Sequence, residues 1–241
     1  MAILCYNTIM KALIFDLDDT LYNQIQPFKR AVEQFVVLPL EQLEALYLAF
    51  RYRADEVFEA SVSGVMPMKD MHTYRMQAAF SDMGMTISGE TAYAIQEAYA
   101  YQQGHLELTV GSQELFDFCQ EKGMMVGLIT NGPHLHQLKK IQALKLFERI
   151  PEDRVIISGQ VGMTKPHVGI FRLMEERLGL PPEAICYLGD SYENDVVGAK
   201  GAGWQVIWYN HRGRVVENQS VLPDLIVRDF KSIQKWLESQ F

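Results

Sequence analysis

Lys11-Ala12-Leu13-Ile14-Phe15-Asp16-Leu17-Asp18-Asp19-Thr20-Leu21 decides how the rest of this chain is read. The apolar run Ala12 to Phe15 has the character of a buried strand and is too short for a helix. It stops abruptly in three carboxylates and a hydroxyl. In an open α/β sheet, chemistry sits just beyond the carboxyl ends of the strands, which places Asp16 and Asp18 where a site is expected. Side chains alternate along extended chain, so these two carboxylates point to the same side, a few ångströms apart. At that separation they repel unless a proton or a cation intervenes. Taken alone, such a pair is an ordinary acidic turn after a strand. The downstream sequence makes it more.

The 241 residues suffice for one large domain, or for a core domain with a sizeable insertion. The balance of apolar and charged residues is that of a soluble globular protein. A formal net charge of -8 argues against a nucleic-acid backbone or an anionic membrane as the main partner. A small anionic substrate stays compatible with it, because a local cation reverses the field inside a site. Cys5, Cys119 and Cys186 lack metal-like spacing and cannot all pair internally. Cys119 and Cys186 lie in apolar surroundings and are expected to be buried thiols in a reducing compartment. No apolar stretch is long enough to span a bilayer, and no secretory signal is recognisable, so a cytoplasmic location is expected. Met1 to Met10 is expected to be a poorly ordered or edge-packed extension. Nothing in the sequence sets an oligomeric state.

After Leu21 the pattern changes. From about Pro27 to Gly104 helical periodicity replaces strands, with helices expected over Phe28 to Val37, Leu40 to Phe58, Lys69 to Met83 and Thr91 to Tyr101. Apolar residues at Leu43, Leu46, Tyr47 and Phe50 give the second of these a buried face. The many Met and aromatic residues of this region are the expected core of a small helical bundle. Tyr22, Asn23 and Arg30, near its ends, are candidates to look onto the site instead. An all-helical insertion directly after a site-bearing strand suggests a lid, which excludes water and reads the leaving group.

From Leu115 onward the chain alternates. Helices are expected over Gln113 to Lys122, Leu135 to Leu144, Val168 to Leu178, Val196 to Ala202 and Phe230 to Ser239. Strands are expected over Met124 to Ile129, Val155 to Ile157, Ala184 to Leu188, Gln205 to Trp208 and Leu225 to Val227, with a loop over Ser158 to Pro166. Alternation of this kind implies an α/β fold, a parallel sheet with helices on both faces.

On that frame Asp16 and Asp18, Thr130 and Asn131, Lys165, and then Asp190 and Asp195 all fall at or just past strand ends, on one edge of the sheet. Each has a bland alternative: a turn for Thr130-Asn131-Gly132, a solvated loop cation for Lys165, a helix cap for Asp190. Together they are hard to obtain by accident. Asp16 and Asp190 are hard oxygen ligands suited to Mg²⁺. Lys165, Thr130 and nearby backbone N–H groups can cradle a phosphoryl group and offset the charge on its equatorial oxygens. A carboxylate can be the nucleophile, and Asp18 is placed to protonate the leaving oxygen and then take a proton from water.

Asp16-x-Asp18-x-Thr20, Leu128-Ile129-Thr130-Asn131-Gly132, Lys165-Pro166 and Gly189-Asp190-Ser191-x-x-Asn194-Asp195 resemble, in order, the four motifs of the phosphatase branch of the haloacid dehalogenase superfamily. The resemblance covers nearly the whole chain from Lys11. It implies a Rossmann-like core, residues 1–21 and 106–241, with a helical cap, residues 22–105, inserted after the first strand. It implies Asp16 as nucleophile and Mg²⁺ ligand, and Asp18 as acid/base giving its backbone carbonyl to the metal. Thr130, Asn131 and Lys165 would bind the phosphoryl group, Lys165 also steadying Asp16. Asp190 would be the remaining metal ligand, with Asp195 behind the direct ligands. Two positions depart from the pattern: His167 stands where an acidic residue usually follows Lys-Pro, and is expected to cap a helix, while Trp204 is expected to be packing.

A Mg²⁺-dependent phosphomonoesterase acting on a small phosphorylated metabolite, of the nucleotide or sugar phosphate class, is the leading expectation. A β-phosphoglucomutase-like mutase would use the same acidic pair. A 2-haloacid dehalogenase resembles the chain at Asp16 but lacks a carboxylic acid at the position of Asp18. A non-catalytic binding module on the same fold is disfavoured by the complete residue set.

Overall fold

The structure, a computed structural model, describes residues 10–57, 65–217 and 219–240. The N-terminal extension lies outside them but for Met10, and so does Phe58, the last residue expected in the second helix. The chain divides into two units, one of Met1–Asn23 with Glu107–Phe241 and the other of Gln24–Leu106.

The first unit is built on six strands: β1 (Ala12–Phe15), β2 (Met125–Thr130), β3 (Val155–Ile157), β4 (Ile185–Gly189), β5 (Gln205–Tyr209) and β6 (Leu225–Val227). Every pairing is parallel and the order is β3-β2-β1-β4-β5-β6, so β1 lies between β2 and β4. The strand residues of β1, β3 and β4 are buried throughout, as a parallel sheet covered on both faces requires. Alternation along β1 divides its side chains between the faces. Ala12 and Ile14 join a cluster with Ile170, Phe171 and Met174 of the helix Val168–Leu178. Phe15 turns the other way, its ring 4.8 Å from that of Phe116 in the helix Ser112–Glu121. Trp204 is buried in the first of these cores and donates its indole N–H to Glu175 at 2.7 Å, consistent with packing.

The second unit holds α1 (Ile25–Val32), α2 (Leu40–Glu56), α3 (Met68–Asp82) and α4 (Gly89–Gln103). Phe28 sits at its centre, with the rings of Tyr47, Phe50 and Tyr99 at 5.3, 5.0 and 5.7 Å. Helix α1 begins and ends earlier than periodicity suggests. Pro27 is accommodated in its first turn, where a missing N–H costs nothing, and after Val32 the chain turns, the N–H groups of Phe35 and Val36 both donating to the Val32 carbonyl at 2.9 Å.

Continuing in the first unit, the helices are α5 (Ser112–Glu121), α6 (His134–Ala143), α7 (Val168–Leu178) and α8 (Phe230–Glu238). His167 caps α7 as expected, its ring nitrogen accepting from Gly169 N–H at 3.1 Å. Two segments differ from the reading of the sequence. The stretch expected as loop contains a helical turn at Ser158–Val161, and the helix expected over Val196 to Ala202 is a wide π-helical turn, Tyr192–Val197, leading into Gly198–Gly201. Ser191 opens the π turn by accepting from Asn194 N–H at 3.3 Å. Among the described residues no helix is long and apolar enough to cross a membrane.

Candidate active site

Phe15 pairs with Leu128 on one side and Leu188 on the other, so Asp16 is level with Ile129 and Gly189, and Thr130 and Asp190 follow one residue further along the neighbouring strands at the same edge of the sheet. Asp16 is held there by its own backbone, whose N–H donates to Leu188 at 2.8 Å. All three side chains are buried.

Lys165 is the hub. It is 4 % exposed, and its Nζ lies 2.6 Å from Asp16 Oδ1, 2.7 Å from Asp195 Oδ1 and 2.8 Å from the Tyr187 hydroxyl. An ammonium has three protons, and all three are used. Tyr187 stands in β4 and its hydroxyl donates to the Ile129 carbonyl at 2.9 Å, which fixes the lone pairs it offers to Lys165. The loop that carries Lys165 is pinned by Asn131: its amide donates to the Lys165 carbonyl and its Oδ1 accepts from Lys165 N–H, both at 2.9 Å. The side chain of Asn131 is thus engaged by the lysine backbone. Asp195 has both oxygens occupied, one by Lys165 and the other by Ser191 N–H at 2.9 Å. It reaches back under the strand end only because residue 189 is glycine. A Cβ there would lie 2.3 Å from Asp195 Oδ2.

Asp16, Asp190 and Asp195 each offer an oxygen, and these lie within 4.8 Å of one another. Such crowding is costly. Burial raises the proton affinity of Asp16, and Asp195 and Asp18 push the same way against the opposing pull of Lys165. Burial likewise raises Asp190, with Asp16, Asp195 and Asp19 adding to it and Arg214 opposing. Buried carboxylates in excess of buried cations, all with hard oxygen donors, fit a small divalent cation such as Mg²⁺. Asp195 is the least free of the three to serve, because its oxygens are already committed.

Asp18 lives in the opposite environment. Burial alone would raise it, but Lys140 at 2.6 Å overrides that, and with Tyr22 and Gln137 holds the carboxyl down at about 2. The Tyr22 hydroxyl and Lys140 share Oδ1, while Gln137 donates to Oδ2 at 2.7 Å. Asp19, next in the chain, adopts a left-handed backbone (φ 59°), and Arg212 forks onto it with contacts of 2.7 and 3.1 Å. Arg214 lies 3.1 Å from Asp190 Oδ2. Thr20 donates to Asp16 Oδ2 at 3.3 Å.

Of the residues singled out in the sequence, Asp16, Asp18, Thr20, Tyr22, Thr130, Asn131, Lys165, Asp190 and Asp195 meet at this edge. Tyr187, Gln137, Lys140, Arg212 and Arg214 join them without having been singled out. For Gln137 and Lys140 a signal existed, since three residues apart they share one face of a helix, and that face directly follows the Thr130-Asn131-Gly132 turn.

Residues 10–203 match the sequence profile of the haloacid dehalogenase-like hydrolases. A phosphoserine phosphatase of Thermus thermophilus is 28% identical over 247 aligned residues, covering 93% of this chain and 98% of its own. An (S)-2-haloacid dehalogenase of Pseudomonas fluorescens is 24% identical over 155 residues, 64% of this chain and 65% of its own. Among solved structures, a hydrolase of the same superfamily from Bacillus subtilis, bound to magnesium, superposes with a TM-score of 0.67 at 20% identity, over 95% of this chain and 98% of its own.

Proposed function

The chain belongs to the haloacid dehalogenase-like hydrolases and is a phosphatase of that family, and from that premise we propose that it hydrolyses small phosphate monoesters through an aspartyl phosphate on Asp16. In this reading Mg²⁺ is held by Asp16, Asp190 and the backbone carbonyl of Asp18, where it would neutralise phosphoryl charge and keep Asp16 ionised. Asp16 attacks phosphorus, and the bond to the ester oxygen breaks. Lys165 fixes the orientation of Asp16 through its contact at 2.6 Å and adds positive charge beside the transferring group. The Thr130 hydroxyl contributes a donor to the phosphoryl oxygens. Asp18 gives a proton to the leaving oxygen, then takes one from the water that hydrolyses the aspartyl phosphate, releasing phosphate and restoring Asp16. Asp195 acts through Lys165 and Ser191. The helical unit, inserted directly after the turn that carries Asp18, is read as the cap, and substrate choice is assigned to it.

One observation carries the reading: Asp16 stands at the end of β1 with the Lys165 ammonium 2.6 Å from its Oδ1 and oxygens of Asp190 and Asp195 within 4.8 Å, and Asp18 follows two residues later in the same turn. A carboxylic acid at Asp18 also separates the chain from the dehalogenase branch, which has no use for a proton donor when the leaving group is a halide. The nucleotide and sugar phosphates remain the favoured substrates, together with phosphorylated hydroxy amino acids in view of the phosphoserine phosphatase relative.

The test is a panel of several dozen phosphate monoesters with and without Mg²⁺, using Asp16→Asn as the blank. Release of phosphate that needs both the metal and Asp16 is the expected result. More than a tenth of wild-type activity in Asp16→Asn would remove Asp16 as nucleophile, and chloride release from 2-chloropropionate without phosphatase activity would move the chain to the dehalogenases.

A further inference from the structure

Resting on the reading of Asp18 as acid/base, we propose that α6 is the element that aims it, and that Gln137 is its principal positioning residue. The side-chain amide nitrogen of Gln137 lies 2.7 Å from Asp18 Oδ2, 2.6 Å from the Thr130 hydroxyl and 2.9 Å from the Asn131 carbonyl. One amide group thus ties the acid/base carboxylate to the strand end that receives the phosphoryl group. Gln137 is 1 % exposed, so water does not compete for these contacts.

Lys140, one turn further along α6, takes the other oxygen of Asp18 at 2.6 Å. With Gln137 on Oδ2 and Lys140 on Oδ1, rotation of the carboxylate about its Cβ–Cγ bond is blocked. Two features set the amide apart from a packing residue. Its Oε1 is buried without a partner among the described residues, a cost that folding alone would avoid. The flipped amide would set that oxygen against the Asp18 carboxylate, so the charge on Asp18 dictates which way Gln137 faces. Gly132 leaves room for the side chain, since a Cβ there would come within 3.0 Å of Gln137 Cγ.

A residue that aims a proton donor matters most when the leaving group needs the proton. p-Nitrophenolate departs without one, whereas phenolate is more basic and gains from general acid catalysis. The test compares kcat/KM for p-nitrophenyl phosphate and phenyl phosphate, with Mg²⁺, in wild type, Gln137→Met and Gln137→Glu. Methionine keeps the shape and removes the donor, and glutamate keeps every heavy-atom position while offering acceptors. Both variants are expected to lose roughly tenfold or more on phenyl phosphate beyond what they lose on p-nitrophenyl phosphate, a steeper dependence on leaving-group basicity. Thermal melts of both variants check that each is folded. Equal losses on the two esters in a folded variant would assign Gln137 a structural role and overturn the proposal while leaving the phosphatase reading intact. Absence of wild-type turnover on either ester would overturn the phosphatase reading and this assignment with it.

Discussion

Lys165→Met removes a buried cation that touches both Asp16 and Asp195, and its effect on stability follows from the geometry. The ammonium lies 2.6 and 2.7 Å from the two carboxylates and is almost fully buried. Methionine fills the stem of the lysine, so little cavity is created. What remains is two buried carboxylates without a counter-ion, and deleting one partner of a buried ion pair costs about 3–5 kcal/mol. For a unit of this size each kcal/mol lowers the melting temperature by about 2–4 °C, so a drop of roughly 10 °C is expected for the unit that contains the sheet. The measurement is calorimetry in EDTA, which prevents a divalent cation from replacing the lost charge. A second variant makes the cause identifiable. Adding Asp195→Asn to Lys165→Met removes one of the stranded charges while keeping an acceptor for Ser191 N–H, so the double variant should regain about 1–3 kcal/mol over the single one. A single variant that melts within about 2 °C of wild type, or a double variant no more stable than the single, would refute the account of Lys165 as the counter-ion of this site.

Gly189→Ala should destabilise by about 1–3 kcal/mol, because the new Cβ would meet Asp195 Oδ2 at 2.3 Å and Cβ at 2.8 Å; an unchanged urea midpoint would show that the strand end yields where the structure says it cannot. Burial pushes the Cys119 thiol up to about 12, so at pH 8 iodoacetamide followed by peptide mapping should leave Cys119 unmodified in the native protein and label it in urea. Equal labelling in both states would contradict its burial.

The strands and most helices were legible because the signals are local. A buried parallel strand is an apolar run, a helix an apolar stripe, and both can be read without knowing what lies opposite. The polar residues at strand ends were legible for a related reason: once alternation orders the strands, topology brings their carboxyl ends to one edge. Tyr187 shows where this stops. In the sequence it is one more large residue in the apolar strand Ile185–Gly189, and its hydroxyl acquires meaning only when β4 is set near Ile129 of β2 and Lys165 arrives from a loop. Helix α6 shows it more sharply. Leu135 is 70 % exposed while Gln137 and Lys140 are buried, so the apolar residues mark the face incompletely and the polar ones complete it. The π turn at Tyr192–Val197 escaped for the same reason: its extra width belongs with a carboxylate, Asp195, engaged far away in the sequence at Lys165. Apolar burial is driven by water and so leaves a periodic trace, whereas a buried polar group is justified only by its partner, which the neighbouring residues do not reveal. It follows that residues such as Gln137, polar and buried on a face that sequence periodicity would not choose, are where the structure adds most to the chemistry of this site.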